Sequence, residues 1–140
     1  MIKPWCGRLL AASSFLLIAF TPARADAPGV LWQSTSQMIM QGMPFSPKPM
    51  TAKFCAAANS SQPPPAPQGQ TCTMTNVNRD GDKVTWDSTC TGEMDMTGHG
   101  EITYEGTDKY EGQMDMTAEG VTITIKLSGV KLGECDHPIG

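Results

Sequence analysis

Residues 92–127 read GEMDMTGHGEITYEGTDKYEGQMDMTAEGVTITIKL, a segment in which apolar and polar side chains alternate. A period of two is typical of a strand that buries one face. Residues 92–100 recur twenty positions later as residues 112–120, with six of nine positions identical. Glycine-containing turns at residues 106–108 and 119–120 divide the segment. The sequence therefore predicts three consecutive antiparallel strands joined by tight turns.

The predicted register places the repeated methionines on one apolar face. Pairing about residues 106–108 sets Tyr104 opposite Tyr110, and the same register sets two methionines opposite glycines, which leave room for long flexible side chains. Across the next turn the methionines oppose isoleucines. The predicted pairs are Met114 with Gly100 and Ile125, and Met116 with Gly98 and Ile123. The other face is predicted to be acidic and to carry Glu93, Asp95, Glu101, Glu111 and Asp115.

The rest of the chain continues the strand pattern. Alternation predicts a strand over residues 30–40, a short strand over residues 50–55, and a hairpin formed by residues 71–78 and 83–91. No segment has a helical period. We expect an all-β fold, an antiparallel meander of about seven strands that closes its apolar face as a curled sheet or small barrel, with a two-layer sandwich as the alternative.

Proline-rich sequence separates two of these strands. Residues 56–70 contain Pro63, Pro64, Pro65 and Pro67 among serine, asparagine and glutamine. Proline cannot donate to a ladder of backbone hydrogen bonds, so the segment should not form a strand. We expect an exposed, mobile loop.

The first 25 residues have the parts of a secretory signal peptide: the basic Lys3 and Arg8, an apolar run at residues 9–20, and the small residues Ala23 and Ala25. We expect cleavage after Ala25, export to the periplasm, and a single β domain over residues 26–140. Seven basic and 14 acidic residues then remain, a formal net charge of −7. This charge disfavours nucleic acid and anionic lipid as partners, and no later segment is apolar enough to span a membrane as a helix.

Four cysteines remain after cleavage, because Cys6 lies in the signal peptide. An even number in a small exported domain favours disulfides over a metal site. The hairpin register sets Cys72 directly opposite Cys90, at a separation that a disulfide spans. By elimination Cys55 pairs with Cys135, which closes a loop of about 80 residues.

Several segments together resemble the exported proteobacterial family called domain of unknown function 3617. The segments are the Trp32 strand, residues 41–44 (QGMP), the pair Cys72 and Cys90 around residues 84–86 (VTW), residues 96–104 (MTGHGEITY) and residues 128–135 (SGVKLGEC). The likeness covers nearly the whole predicted mature chain. It implies an envelope protein of Gram-negative bacteria and transfers no functional residue.

Methionine is the unusual component of the composition, since nine of the ten methionines follow the signal peptide. We expect a ligand-binding face that takes a small apolar molecule or an envelope protein partner. It would use Trp32, Trp86 and three Met-x-Met pairs, Met38 with Met40, Met94 with Met96, and Met114 with Met116. Methionine adapts to irregular apolar shapes, which suits such a site.

Two alternatives remain from the sequence. Thioethers are soft ligands, so Met94, Met96, Met114 and Met116 are candidate ligands for Cu(I) or Ag(I), and copper is the alternative to having no cofactor. A structural envelope component whose core uses methionine as filler is the other alternative. Neither His99 nor His137 lies beside a serine or cysteine nucleophile at any recognisable spacing, so we predict no enzymatic activity and no catalytic residue.

Overall fold

The computed structural model describes residues 28–66 and 69–139, which form seven strands and no helix within those ranges. The all-β prediction is confirmed. These two ranges contain no helix that could span a membrane. The strands are β1 (Gly29–Met40), β2 (Met50–Ala57), β3 (Thr71–Asp80), β4 (Lys83–Thr91), β5 (Met96–Glu105), β6 (Lys109–Ala118) and β7 (Val121–Cys135).

All seven strands belong to one antiparallel sheet in the order β2-β1-β7-β6-β5-β4-β3. Strands β3 to β7 form a meander, and the β1–β2 hairpin adds to the free side of β7. The sheet curls into a half-barrel, with β2 and β3 as its two edges. The curled-sheet form of the prediction is therefore correct, and the sandwich is not formed.

The predicted registers of β5 with β6 and of β6 with β7 are confirmed, and that of β3 with β4 is confirmed from Thr71 to Thr75, beyond which the pairing shifts by one residue before Asn78. Tyr104 pairs with Tyr110, Met116 pairs with Gly98 and then with Ile123, and Met114 pairs with Gly100 and then with Ile125. The hairpin of β3 and β4 pairs Cys72 with Cys90. The β5–β6 and β6–β7 registers follow from their turns, because a short turn leaves only one alignment that keeps the apolar parity. In the β3–β4 hairpin the irregularity between Thr75 and Asn78 separates the turn from the pair of Cys72 and Cys90.

Both predicted disulfides are present. Cys72 is bonded to Cys90 within the β3–β4 hairpin, and Cys55 on β2 is bonded to Cys135 at the end of β7. Because β1 lies between β2 and β7, the second bond spans a strand and closes 80 residues of chain. Two disulfides are compatible with an oxidising, exported location. The predicted signal peptide lies outside the described residues.

The core lies on the concave face of the half-barrel. This face carries the even-numbered side chains of β4, β5 and β6 and the odd-numbered side chains of β7, and its most buried members are Val84, Trp86, Ile102, Tyr110 and Met116. In β1 the buried parity is that of Trp32 and Ser34, and Leu31 on the other parity is half-buried. The convex face carries the acidic side chains Glu101, Glu111 and Asp115, as predicted, whereas Glu93 and Asp95 lie in the loop between β4 and β5.

The prediction that Met94 lies on the apolar face of a strand is wrong. β4 and β5 pair symmetrically about Glu93, with Cys90 opposite Met96, so residues 92–95 form the connecting loop. Met94 is therefore 46% exposed, whereas its counterpart in the repeat, Met114, is 8% exposed in the middle of the sheet. The two copies of the repeat both lie in a strand only at residues 96–98 and 116–118, because His99 and Gly100 continue β5 whereas Glu119 and Gly120 form the turn after β6.

The expectation for the proline-rich loop is also partly wrong. β2 extends to Ala57, so the loop begins at residue 58. Ala57 pairs with Gly29 at one end of the half-barrel and Thr71 pairs with Thr91 at the other, so the loop runs along the length of the sheet. Pro63 and Pro64 are buried rather than exposed. We call residues 58–66 the proline segment.

Candidate functional site

The concave face contains a cavity of about 370 Å³ beneath the proline segment. Its lining includes Trp86 on β4, Met114 on β6, Ile125 and Leu127 on β7, and Ser34 and Ser36 on β1. Apolar side chains dominate this lining. A cavity of this size lies at the lower end of the range of roughly 300–1,000 Å³ that small-molecule sites occupy.

A second cavity of about 210 Å³ adjoins the first. The two cavities share part of their lining, namely Ser36, Met50, Ala66, Met114 and Ile125. The second cavity adds four more methionines, Met38, Met74, Met96 and Met116, and the sulfurs of Cys72 and Cys90 border it. The two cavities therefore form one groove along the concave face, and we call it the methionine groove.

The proline segment covers this groove between the two edge strands. Pro64, Pro65 and Ala66 line the first cavity. The segment is tied to the sheet at its start, where the Nη1 of Arg79 donates to the carbonyl oxygen of Ser60 at 3.0 Å. Proline has no N–H group, so the segment covers the open side of the half-barrel without pairing as an extra strand.

An aromatic cluster closes the opposite end of the concave face. The ring centroid of Trp32 lies 5.8 Å from that of Tyr104 and 5.3 Å from that of Tyr110, and the guanidinium of Arg79 lies 5.0 Å from the centre of the Tyr104 ring. Burial raises the pKa of Tyr110 to about 12, so this hydroxyl stays neutral at physiological pH. Trp32 lines a separate cavity of about 230 Å³ here, together with Arg79.

Trp86 lies at the floor of the methionine groove. It pairs with Gly100, and its indole occupies the space that the glycine leaves free. The sequence predicted that this space would accommodate Met114, which pairs with Gly100 from the other side. Trp86 is 1% exposed, and its indole N–H finds no acceptor among the residues that the structure describes.

The groove and the convex face differ in charge. No charged side chain lines either cavity of the groove within residues 28–66 and 69–139.

On the convex side, Asp87 accepts a hydrogen bond from the Nδ2 of Asn76 at 2.7 Å and lies 2.8 Å from the Nδ1 of His99. The hydrogen bond from Asn76 and that with His99 lower the pKa of Asp87. Within the described part of the chain, no three His, Cys, Asp or Glu side chains are grouped as a metal site.

The structure brings together five of the eight residues predicted for the binding face: Met38, Met96, Met114, Met116 and Trp86. It separates the other three. Met40 is half-buried at the end of β1 outside the groove lining, Met94 is exposed in a loop, and Trp32 belongs to the aromatic cluster.

Sequence reasoning missed Met50 and Met74 as groove residues. Met74 shares the parity of the half-buried Cys72, two positions before it on β3, so the predicted hairpin already contained the signal. Met50 pairs with Ser36 at the start of β2. Nothing in the sequence indicated that Ala66 lines the groove, because its position depends on how the proline segment folds back over the sheet.

Comparison with known proteins gives one match. Residues 27–135 match a family model described as a protein of unknown function (DUF3617). Neither the curated proteins nor the solved structures contain a match to this chain.

Proposed function

The chain belongs to the DUF3617 family of unknown function, and we propose that it is an exported, non-enzymatic binding protein that holds a small apolar ligand in the methionine groove. The observation that carries this proposal is the groove itself: two adjoining cavities with a largely apolar lining on the concave face of the half-barrel. The periplasm is the proposed location, and the two disulfides support it.

The size and lining of the groove favour a small molecule over a protein partner. Together the cavities enclose space for a molecule of small-ligand size, and a protein surface would have to displace the proline segment, whose Pro63 and Pro64 are buried. Burial of apolar ligand surface is worth roughly 25 cal/mol per Å² before the costs of association. Thioether side chains have several rotatable bonds, so the groove can adapt to more than one apolar shape.

The chemistry of the lining supports binding rather than catalysis. Its polar side chains include the hydroxyls of Ser34, Ser36 and Ser88, and the lining contains no histidine, lysine or carboxylate that would activate them within the described residues. A serine hydroxyl is a weak nucleophile without an adjacent base. We therefore propose no reaction at this site.

Filling the groove should weaken the binding of an apolar probe. Ser36 lines both cavities, so Ser36→Trp places an indole at their junction. We expect the neutral fluorophore N-phenyl-1-naphthylamine to bind the wild-type protein with enhanced emission, and to bind Ser36→Trp at least about tenfold more weakly, a loss of about 1.4 kcal/mol. Fluorescence titration measures both affinities.

Gln37→Trp is the matched control, because Gln37 is the next residue of β1 and lies on the convex parity. It should bind the fluorophore like the wild type. A wild-type protein that does not bind the fluorophore, or equal affinities in the two variants, would contradict the proposal. Native mass spectrometry of protein purified from its own host would then identify the physiological ligand as an added mass.

A second candidate function is binding of Cu(I) or Ag(I), and the convergence of methionines on the second cavity favours it. Met38, Met74, Met96, Met114 and Met116 all line this cavity of about 210 Å³. Soft thioether sulfurs prefer these ions. Titration with Cu(I) against a competing chelator should show weaker binding after Met114→Leu and Met116→Leu together, and an affinity equal to the wild type would exclude this function.

A further inference from the structure

We infer that Met50 is a site of reversible oxidation, at which a peroxide converts the thioether to a sulfoxide and thereby weakens ligand binding in the methionine groove. The inference rests on the proposed function, since it names a chemical modification that regulates the same groove. It follows from two properties that only Met50 combines among the methionines of residues 28–66 and 69–139: it is exposed to solvent, and it lines both cavities.

Exposure sets Met50 apart from the buried methionines of the groove. Met43, Met50 and Met94 are 53%, 52% and 46% exposed, whereas Met114 and Met116 are 8% and 1% exposed. A thioether must meet the oxidant in order to react, so susceptibility follows exposure. Peroxide in solution therefore reaches Met50 before it reaches Met114 and Met116.

Position sets Met50 apart from the other exposed methionines. It begins the edge strand β2, where it pairs with Ser36 on β1. Both residues of this pair line both cavities, so Met50 lies on the solvent side of the junction between the cavities. Met43 in the β1–β2 loop and Met94 in the β4–β5 loop line neither cavity.

The cysteines do not compete for the oxidant. A cysteine thiolate is the usual sulfur target of peroxides in proteins. Within the two described ranges, all four cysteines are held in disulfides. The exposed thioethers are therefore the reactive sulfur groups of this part of the chain.

The reaction is a two-electron oxidation of the sulfur. A sulfur lone pair attacks one oxygen of hydrogen peroxide, and the S–O bond forms as the O–O bond breaks. The hydroxide that leaves takes the proton of the new S–OH group and becomes water. The sulfoxide is polar, and burial of a polar oxygen among mostly apolar side chains is costly. The oxidised Met50 therefore no longer supplies apolar surface to a ligand.

Oxidation should weaken ligand binding in step with the sulfoxide at Met50. Wild-type, Met50→Leu and Met94→Leu proteins are treated with hydrogen peroxide, which catalase then removes, and the affinity for N-phenyl-1-naphthylamine is compared before and after treatment. Tandem mass spectrometry of peptides gives the sulfoxide fraction at each methionine. We expect full oxidation of Met50 to weaken binding about fivefold in wild type and in Met94→Leu, whereas treatment of Met50→Leu should change its affinity by less than about twofold.

Two further measurements separate the sulfoxide from general oxidative damage. Methionine sulfoxide reductases specific for the two epimers should together restore the affinity of oxidised wild type. Met50→Gln places a polar side chain at the groove and should bind the fluorophore more weakly than wild type without any oxidant, whereas Met94→Gln should keep the wild-type affinity.

Three results would overturn the inference and leave the apolar-binding function standing. They are a complete sulfoxide at Met50 with unchanged fluorophore binding, a Met50 that stays unoxidised while Met43 and Met94 react, and a loss of affinity that the reductases do not reverse. If untreated wild-type protein does not bind the fluorophore, the proposed function itself fails, and the inference fails with it.

Discussion

Replacing Cys55 and Cys135 together by serine should lower the free energy of unfolding by about 4.5 kcal/mol, the largest loss we expect from removing any one cross-link. The bond closes 80 residues of chain, and in the chain-entropy model the stabilisation grows with the logarithm of that number. It also joins β2 to β7 across β1, so it holds the edge of the half-barrel that borders the methionine groove. Urea denaturation of the double variant and the wild type measures the difference.

The other disulfide is the internal control. Cys72 and Cys90 enclose only 18 residues, within one hairpin, so the double serine variant should lose only about 3 kcal/mol. A larger loss for this pair than for Cys55 and Cys135 would show that chain entropy does not govern the stability of the protein. Both variants should be compared at the same protein concentration and without reductant.

Gly112→Ala should be the most destabilising single addition of a methyl group, with a loss of about 3 kcal/mol. Gly112 lies on β6 opposite Ile102, and a Cβ there would overlap the carbonyl oxygen of Glu101 and stand 2.6 Å from the Cα of Ile102. These are backbone atoms of β5 in the middle of the sheet, so they cannot move aside as a flexible side chain would. Thermal and urea unfolding measure the loss.

Gly42→Ala separates this overlap from the general cost of replacing a glycine. Gly42 has a φ of +85° in the β1–β2 loop, and no atom lies within 4 Å of the position of an added Cβ. The substitution should cost about 1 kcal/mol, from backbone conformation alone. If Gly112→Ala were no more destabilising than Gly42→Ala, the close approach of β5 and β6 at this point would be wrong.

The registers around short turns were predictable because they depend on nearby residues. Once a turn is placed, the pairing of Tyr104 with Tyr110 follows from counting along two strands. Counting symmetrically about Gly81 also predicted the pairing of Cys72 with Cys90 but not the one-residue shift between Thr75 and Asn78. The turn between β4 and β5 was harder to place, since the repeat of GxMDMT suggested that Met94 and Met114 were equivalent. The pairing of Cys90 with Met96 overrides that likeness and turns Met94 out into the loop.

The sequence alone determined the strands, their local registers and the apolar parity, and with them both disulfides and the methionine-rich concave face. These properties follow from a period of two and from turns that act over a few residues. The groove itself was decided only by the tertiary structure. Its cover is the proline segment, its floor is Trp86 over Gly100, and its wall includes Met50 and Met74 from the two edge strands. Those contacts depend on the curl of the whole sheet, which adds small twists over seven strands, and no local pattern of residues specifies where that sum brings distant segments together.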